Sequence, residues 1–193
     1  MSSNIEIEAK VLLLKNEYET IIEKLNLSKY RKIKQTNHYI DTPDRYLKKN
    51  GIALRIREKD EEFELTLKTP LSEGLLEKNE SISWRDFEKL ADDHIFPEGN
   101  IKKFLSILGV DVTKLSILTS LCTERITVDY DGFNLSLDKN TYSNIVDYEL
   151  EVESSSMEHA QEQIKKILSY CSITSYSINK VSKQARALNA LEK

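Results

Sequence analysis

The sequence predicts an α+β fold, built on a closed or nearly closed antiparallel β-barrel of about eight strands with amphipathic helices at its periphery. Charged and apolar residues alternate along many short stretches, which is typical of strands with one polar face. Hairpin turns are predicted at Lys59-Asp60-Glu61 and Asp131-Gly132. A sheet of this size has to close or fold over, and closure with the charged faces inward would produce a charged tunnel.

The elements follow from periodicity and from turn residues. Strands are predicted over residues 4–11, 34–41, 52–58, 62–69, 74–83, 117–130, 133–140 and 145–153. Helices are predicted over 14–25, in two pieces between 84 and 108 that are broken near Pro97, after a capping box at 155–158, and over 182–191. A further short helix is expected to have Thr42 as its N-cap and Pro43 as its first residue, and to stop at Asn50-Gly51.

Composition limits the possible functions. The 193 residues are compatible with a single domain over 1–193, and a net charge of -4 argues against a broad nucleic-acid-binding surface. The two cysteines, Cys122 and Cys171, are expected to be reduced, buried thiols. No stretch is apolar enough for a signal peptide or a membrane helix, so we expect a cytoplasmic protein with no membrane partner. The protein is expected to be a monomer or a homodimer.

Charged side chains share strand faces in several rows. Glu6, Glu8 and Lys10 form one row, and the others are Arg55/Arg57, Glu64/Thr66/Lys68 and Asp147/Glu149/Glu151/Glu153, with Arg125 and Asp138 on two more strands. A single row of this kind is usually the solvated face of a one-sided sheet. Taken together, the rows favour acidic and basic walls around one cavity.

Such a cavity suits polyphosphate chemistry. Carboxylates bind hard cations such as Mg²⁺ or Mn²⁺, whereas Arg and Lys bind phosphate oxygens. A metal-bound polyphosphate needs both kinds of group, and phosphoryl transfer depends mainly on positioning and electrostatics. The sequence offers no Gly-rich phosphate loop, and His38, His94 and His159 lack the spacing of a metal site.

At this point the chain resembles the CYTH family, also called triphosphate tunnel metalloenzymes. The family's Glu-x-Glu-x-Lys motif is present in full at Glu6, Glu8 and Lys10. Further blocks follow in the family order: Tyr39-Ile40-Asp41-Thr42, Leu54-Arg55-Ile56-Arg57, Leu65-Thr66-Leu67-Lys68, Glu124-Arg125, Leu137-Asp138, Tyr148-Glu149-Leu150-Glu151 and Ser182-Lys183. The resemblance spans nearly the whole chain.

The resemblance implies roles for individual residues. The metal ligands would be Glu6, Glu8, Asp138, Glu149 and Glu151, and the phosphate contacts would come from Lys10, Arg55, Arg57, Lys68, Arg125 and Lys183. The catalytic set would be Glu6, Glu8, Lys10, Glu149 and Glu151. Lys180 competes with Lys183 for its phosphate contact, and Glu77 is a further acidic candidate. One departure is that the strand after Lys68 reads Leu75-Leu76-Glu77, so the Arg of the family's Arg-x-Glu is absent, although Glu77 would keep the acidic role.

Three functions are compatible with these residues. The first is hydrolysis, in which a metal-activated water attacks the terminal phosphorus of inorganic triphosphate or an organic triphosphate. The second is an adenylate cyclase that converts ATP to cyclic AMP and pyrophosphate. The third is a non-catalytic nucleotide- or polyphosphate-binding module, which the four inward carboxylates disfavour because they would repel its ligand.

Overall fold

The computed structural model describes residues 2–72 and 74–192. Six α-helices and nine β-strands are found in these ranges, which confirms the predicted α+β class with an antiparallel sheet. The strands are β1 (Ser2–Glu6), β2 (Glu8–Leu13), β3 (Ile33–Asp41), β4 (Ala53–Lys59), β5 (Glu62–Pro70), β6 (Leu75–Ile82), β7 (Ser116–Tyr130), β8 (Phe133–Tyr142) and β9 (Ile145–Glu153). The helices are α1 (Lys15–Lys24), α2 (Tyr46–Lys49), α3 (Trp84–Asp93), α4 (Asn100–Ile107), α5 (Met157–Tyr170) and α6 (Lys183–Asn189).

The strands are hydrogen-bonded in the order β1-β6-β5-β4-β3-β7-β8-β9-β2. Contacts between residues divide the chain into two compact units. The first unit comprises Met1–Ile5, Gln35–Leu121 and Lys183–Lys193, and the second comprises Glu6–Lys34 and Cys122–Ser182. Of the described helices, none is both long and apolar enough to cross a membrane.

The core of the first unit lies on the apolar face of β4 and β5. Leu54, Ile56 and Leu67 are fully buried there, together with Leu90 from α3 and Ile101 from α4. Because side chains alternate across a strand, this packing leaves Arg55, Arg57, Thr66 and Lys68 on the opposite face. Because the apolar side chains of β4 and β5 are buried in the core, the polar side chains of these strands must project from the opposite face of the sheet.

The second unit repeats this arrangement with β2, β7, β8 and β9. Leu137, Leu150 and Val11 are fully buried against Ile21 of α1 and Ile164 of α5. The predicted apolar face of α5 is confirmed, since Ala160, Ile164, Leu168 and Cys171 are buried in this core and Met157 packs against it. Cys171 is a buried free thiol, as predicted, whereas the free thiol of Cys122 is only partly buried.

Both hairpin turns that the sequence predicts have left-handed backbone at their two central residues. Asp60 and Glu61 have φ of 49° and 65°, and Asp131 and Gly132 have φ of 54° and 80°. Positive φ at both positions is the requirement of a type I′ turn, which matches the twist of the flanking strands. Both predicted hairpins are confirmed, and Lys59 pairs with Glu62 across the first turn.

The predicted strand over residues 4–11 is two strands. β1 ends at Glu6 and β2 begins at Glu8, and the carbonyl of Ile7 between them accepts a hydrogen bond from Ser154 N at 3.0 Å. Alternation continues through this break, so the pattern alone does not reveal it. Glu6 and Glu8 therefore lie on different strands.

Two helix starts also differ from the prediction. α2 begins at Tyr46 rather than Pro43, because the Asp41 carboxylate accepts hydrogen bonds from Leu47 N (2.8 Å) and Lys48 N (3.0 Å). The prediction of Thr42 as the N-cap is wrong, because Arg45 in left-handed backbone occupies that position, although the Thr42 hydroxyl does accept a hydrogen bond from Tyr46 N at 2.9 Å. α5 is capped one residue later than predicted, since the Ser156 hydroxyl accepts from His159 N.

Candidate functional site

Three cross-strand rows form the polar face of the first unit. Arg55 lies opposite Thr66, and Thr66 lies opposite Asn79. The row on one side pairs Lys68 with Glu77, and the row on the other side pairs Arg57 with Glu64. Directly opposed side chains project from the same face, so Arg55, Arg57 and Lys68 form one basic surface. We call this surface the basic face.

Glu77 accompanies the cations of the basic face. The Lys68 ammonium lies 2.9 Å from the Glu77 carboxylate, and the Asn79 amide donates to the same carboxylate at 2.7 Å. Burial raises the pKa of Glu77, but Lys68, the Asn79 hydrogen bond and Arg55 lower it more, to about 2. Glu77 is therefore a carboxylate counterion that holds the Lys68 ammonium in place.

Helix α6 brings more positive charge to the basic face. Tyr39 is buried opposite Arg55, and burial raises the pKa of its hydroxyl, whereas Arg55, Lys183, Arg57 and Arg186 act to lower it. All four cations therefore act electrostatically on one buried side chain. Lys183, a predicted phosphate contact, is among them.

The middle row of the basic face has unmet hydrogen-bonding capacity. Among the described residues, Arg55 Nε, Thr66 Oγ1 and Asn79 Oδ1 are buried atoms with no hydrogen-bond partner. Both amide atoms of Gln184, the neighbour of Lys183 in α6, are also buried and unpaired within the described part of the chain. Buried polar atoms without partners cost free energy, so a bound polar group that paired with them would be favoured.

The second unit carries the acidic residues on the polar face of its sheet. Asp138 lies opposite Glu149 on neighbouring strands, and Glu151 lies opposite Lys10. Asp138 and Glu149 are 0% exposed and Glu151 is 7% exposed. Glu8 accepts a hydrogen bond from the Lys10 ammonium. We call these four carboxylates, Glu8, Asp138, Glu149 and Glu151, the acidic set.

Arg125 neutralises part of the acidic set. Its Nε donates to Asp138 Oδ1 at 2.7 Å and its Nη2 to Asp138 Oδ2 at 2.6 Å, and Nη2 also donates to Glu151. Burial acts against the charge of Arg125, but the Asp138 and Glu151 carboxylates raise its pKa well above the ordinary value. The predicted phosphate contact Arg125 is thus engaged by two predicted metal ligands.

The acidic set fits a divalent cation in donor type and in charge. As they stand, no three His, Cys, Asp or Glu side chains in the described part of the chain converge closely enough to hold an ion. However, the four carboxylates with Lys10 and Arg125 carry a net charge of two negative charges, which one divalent cation would balance. Carboxylate oxygens are also the ligands that Mg²⁺ and Mn²⁺ prefer.

The two remaining candidates, Glu6 and Lys180, lie close in the sequence to Glu8 and Lys183 respectively. Glu6 is the last residue of β1, and Lys180 is an exposed residue that follows the bridge between Val11 and Ile178. The backbone of this segment is held to β2, where Asn179 N donates to the carbonyl of Lys10 at 2.7 Å. Lys183 has the better-defined surroundings of the two lysine candidates.

The sequence reasoning did not identify Thr66, Asn79, Gln184 or Arg186 as site residues. Arg186 could have been found, because it follows Lys183 by three residues and such pairs share a helix face. Nothing in the sequence indicates that Thr66, Asn79 and Gln184 have unpaired polar atoms. Among the histidines, His38 contacts Ser120 and Glu58, and His159 contacts Ser154 and Gln163.

Comparison with known proteins shows the same relationship in sequence and in structure. The chain is 36% identical over 173 residues to a Bacillus subtilis protein named "Putative triphosphatase YjbK". The matched region covers 90% of this chain and 90% of that protein. A crystal structure from Bacillus halodurans, described as a "putative adenylate cyclase", superposes with a TM-score of 0.85 at 37% identity, covering 94% of this chain and 97% of that one. The HpAC1 structure from Hippeastrum, titled as revealing a dominant triphosphatase activity, has a TM-score of 0.74 at 23% identity and covers 96% of each chain. At that identity the likeness to HpAC1 shows the fold alone.

The family assignment rests on the length of the matching region. The family described as the CYTH domain matches residues 4–187, which include every predicted site residue of both units. This chain is a member of the CYTH domain family.

Proposed function

We propose that this protein hydrolyses a triphosphate with the help of a divalent cation. The observation that carries the proposal is the middle row of the basic face, where Arg55, Thr66 and Asn79 have buried polar atoms that lack partners among the described residues. Lys68 and Arg57 flank this row on the same face. Guanidinium forks and an ammonium group beside unpaired hydrogen-bonding atoms suit a polyphosphate with many oxygens.

The chemistry requires only a few groups. A water oxygen forms a bond to the terminal phosphorus, the bridging P–O bond breaks, and the diphosphate portion leaves. Arg55, Arg57, Lys68 and Lys183 would bind the phosphate oxygens and neutralise charge on the leaving group. The proton of the attacking water would pass to a carboxylate of the acidic set.

The metal-binding residues in this proposal are Glu8, Asp138, Glu149 and Glu151, with Glu6 as the fifth. A divalent cation there, which we propose to be Mg²⁺ or Mn²⁺, would supply positive charge to phosphate oxygens and acidify a bound water. Lys10 and Arg125 would hold the carboxylates at fixed positions, and Arg125 would also contact phosphate. Membership of the CYTH family and the triphosphatase name of the 36% identical relative support this assignment.

One assay tests the proposal directly. Purified protein is incubated with Mg²⁺ or Mn²⁺ and, in separate reactions, with tripolyphosphate or ATP, and the products are separated by ion-exchange chromatography. Release of phosphate from the terminal position is the expected result. Cyclic AMP and pyrophosphate from ATP would instead identify a cyclase, which is how the Bacillus halodurans relative is described. Binding without turnover of either compound would contradict both enzyme assignments.

A pair of matched variants locates the reaction. Glu149→Gln removes a buried carboxylate of the acidic set and is expected to abolish metal-dependent turnover. Glu153→Gln is the control, because Glu153 lies on the same strand and the same face but is exposed. If both variants keep wild-type activity, the acidic set is not the metal site.

A further inference from the structure

A histidine and a glutamate of the first unit lie on the apolar face of its sheet, on the side away from the basic face. His38 is directly opposite Ile56, which is fully buried in the core, and Glu58 follows Ile56 by two residues. Alternate residues of a strand share a face, so both side chains project from the side opposite to Arg55 and Arg57. The proposed triphosphate hydrolysis uses neither of them.

His38 connects Ser120 and Glu58 through its two ring nitrogens. Its Nδ1 lies 2.8 Å from Ser120 Oγ, and its Nε2 lies 3.3 Å from Glu58 Oε2. A carboxylate can only accept a hydrogen bond, so the neutral ring carries its proton on Nε2 and has its lone pair on Nδ1. The Ser120 hydroxyl then donates to Nδ1. A hydroxyl, an imidazole base and an orienting carboxylate in this order are the groups that activate a serine nucleophile.

We call Ser120, His38 and Glu58 the serine trio. Its hydroxyl is accessible, because Ser120 is exposed, whereas its base is held in place. The His38 side chain is only 15% exposed, and the Phe87 ring of α3 contacts it at 4.8 Å between centroids. A fixed base beside an accessible hydroxyl needs little rearrangement before a proton is transferred.

An aromatic surface continues from Phe87. Phe87 stacks on Phe63 at 5.0 Å and contacts Trp84 at 5.5 Å between centroids, and Trp84 is 52% exposed. Phe63 and Trp84 are among the residues that line a cavity of about 560 Å³, which is within the usual size range of small-ligand sites. Phe63 is directly opposite Glu58, so this surface lies on the same face as the serine trio. A planar aromatic group would pack favourably against these rings.

We propose that the serine trio gives this protein a second hydrolytic activity, directed at carboxylic esters that carry an aromatic substituent. Ser120 is the nucleophile, His38 is its general base, and Glu58 is a positioning residue that orients the imidazole. The aromatic surface binds the substituent of the ester. This activity needs no divalent cation and does not depend on the proposed triphosphate hydrolysis.

The reaction proceeds through an ester of Ser120. Ser120 Oγ forms a bond to the carbonyl carbon of the substrate while its proton passes to His38 Nδ1. The bond between that carbon and the alcohol oxygen breaks, and the alcohol leaves with the proton from His38. Water then forms a bond to the acyl carbon and gives its proton to His38. The acyl bond to Ser120 breaks, Oγ recovers the proton, and a carboxylic acid is released.

A covalent probe tests the nucleophile directly. The folded wild-type protein is treated in EDTA with diisopropyl fluorophosphate, which transfers its phosphoryl group to activated serine hydroxyls with loss of fluoride, and the modified residue is located by peptide mass mapping. Modification is expected at Ser120, and the urea-unfolded protein should not be modified there. The inference is overturned if Ser120 of the folded protein stays unmodified, or if unfolding leaves its modification unchanged.

Hydrolysis of p-nitrophenyl acetate by variants provides the second measurement. Ser120→Ala should abolish the hydrolysis, and His38→Gln should slow it by roughly 10²- to 10⁴-fold, the usual contribution of a general base. Glu58→Gln should cause a smaller loss, because Glu58 is half-exposed and acts only through the imidazole. Ser120 is exposed, so its truncation leaves no buried cavity, and circular dichroism confirms that each variant is folded.

Matched controls separate this activity from the general reactivity of surface groups. Ser28→Ala and His94→Gln change an exposed serine and an exposed histidine outside the serine trio, and both should hydrolyse the ester at the wild-type rate. Ester hydrolysis by Ser120→Ala at the wild-type rate would rule out Ser120 as the nucleophile. Equal losses in His38→Gln and His94→Gln would rule out His38 as its base.

The two hydrolytic activities can fail separately. Ser120→Ala should hydrolyse triphosphate like the wild type, because Ser120 has no part in that reaction. A protein that hydrolyses triphosphate but neither reacts at Ser120 nor cleaves the ester contradicts the serine trio alone. A protein that cleaves the ester through Ser120 but turns over no triphosphate with any divalent cation supports the serine trio and contradicts the triphosphatase.

Discussion

Arg125 and Asp138 form a two-pronged ion pair, with Nε to Oδ1 at 2.7 Å and Nη2 to Oδ2 at 2.6 Å. Asp138 is 0% exposed, so its charge has lost its solvation and depends on the guanidinium for compensation. The two residues face each other on β7 and β8, which fixes the geometry of the fork. The pair therefore contributes to the stability of the second unit and also fixes the position of Asp138 within the acidic set.

Arg125→Ala is expected to lower the free energy of unfolding by about 3–5 kcal/mol, because it leaves a buried carboxylate unpaired. Arg125→Lys should lose less, since an ammonium keeps the charge but cannot form the fork. Urea unfolding followed by circular dichroism measures both changes. Arg85→Ala, at an exposed position of α3, is the control and should change stability by less than about 0.5 kcal/mol. A loss in Arg125→Ala as small as that of the control would contradict the role assigned to the pair.

The ion pair of Glu77 with Lys68 predicts a pH dependence of stability. The folded-state pKa of Glu77, about 2, is below its ordinary value of 4.5, so its contribution is present above about pH 4.5 and is lost as the pH falls toward 2. Glu77→Gln is expected to be less stable than wild type by about 1–2 kcal/mol at pH 7, after allowance for solvent screening. The difference should shrink steadily below pH 4.5.

Urea unfolding at a series of pH values between 7 and 2.5 checks this prediction. Glu88→Gln provides the matched control, because Glu88 is an exposed carboxylate of α3. A constant difference between Glu77→Gln and wild type over this pH range would show that Glu77 keeps no depressed pKa in the folded protein.

Asp41 is expected to act through helix α2. Its buried carboxylate accepts hydrogen bonds from the backbone N–H groups of Thr42, Leu47 and Lys48. Asp41→Asn replaces one acceptor oxygen with a donor and should cost about 1–3 kcal/mol of stability, with no change in affinity for divalent cations. Thermal unfolding and metal titration by calorimetry measure the two effects. Asp44→Asn is the control, since Asp44 is exposed and caps no helix N–H group.

The sequence predicted most strands and their polar faces because alternation survives in any strand whose two faces meet different environments. It failed where distant contacts decide the structure. The start of α2 depends on Asp41, which lies five residues before the helix and reaches over the intervening turn. The break between β1 and β2 reflects different neighbours, since β1 lies next to β6 whereas β2 pairs with β9, and no periodic pattern near Glu6 reports those partners.

The candidate site shows the same limit. Alternation and the family motif identified the charged residues. The sign of a residue's charge, however, does not show which residue it contacts in the folded protein. Glu77 illustrates this, because the sequence suggested an acidic role in the reaction, whereas the register of β5 and β6 places it beside Lys68. The part of Arg125 in neutralising Asp138 and Glu151 likewise follows from strand pairing, which sequence spacing does not give.

Thr66 offers the sharpest separation of binding from stability. Its hydroxyl is buried and has no partner among the described residues, so Thr66→Val removes an unpaired polar atom at nearly constant volume. Stability should stay the same or rise by up to about 1 kcal/mol. If this hydroxyl instead pairs with bound triphosphate, the same variant should raise the KM for triphosphate by roughly 3- to 10-fold, the usual effect of losing one hydrogen bond.

Thr123→Val is the matched comparison, because the Thr123 hydroxyl is equally buried but donates to Asn140 Oδ1 at 2.8 Å. That variant leaves the Asn140 oxygen unpaired and should lose about 1–2 kcal/mol of stability. The two valine variants should therefore move stability in different directions, and Thr66→Val should weaken triphosphate binding more. A hydroxyl that pairs only with substrate contributes nothing to the stability of the free protein. If Thr66→Val is destabilised as much as Thr123→Val while its KM is unchanged, the Thr66 hydroxyl stabilises the folded protein and does not bind triphosphate.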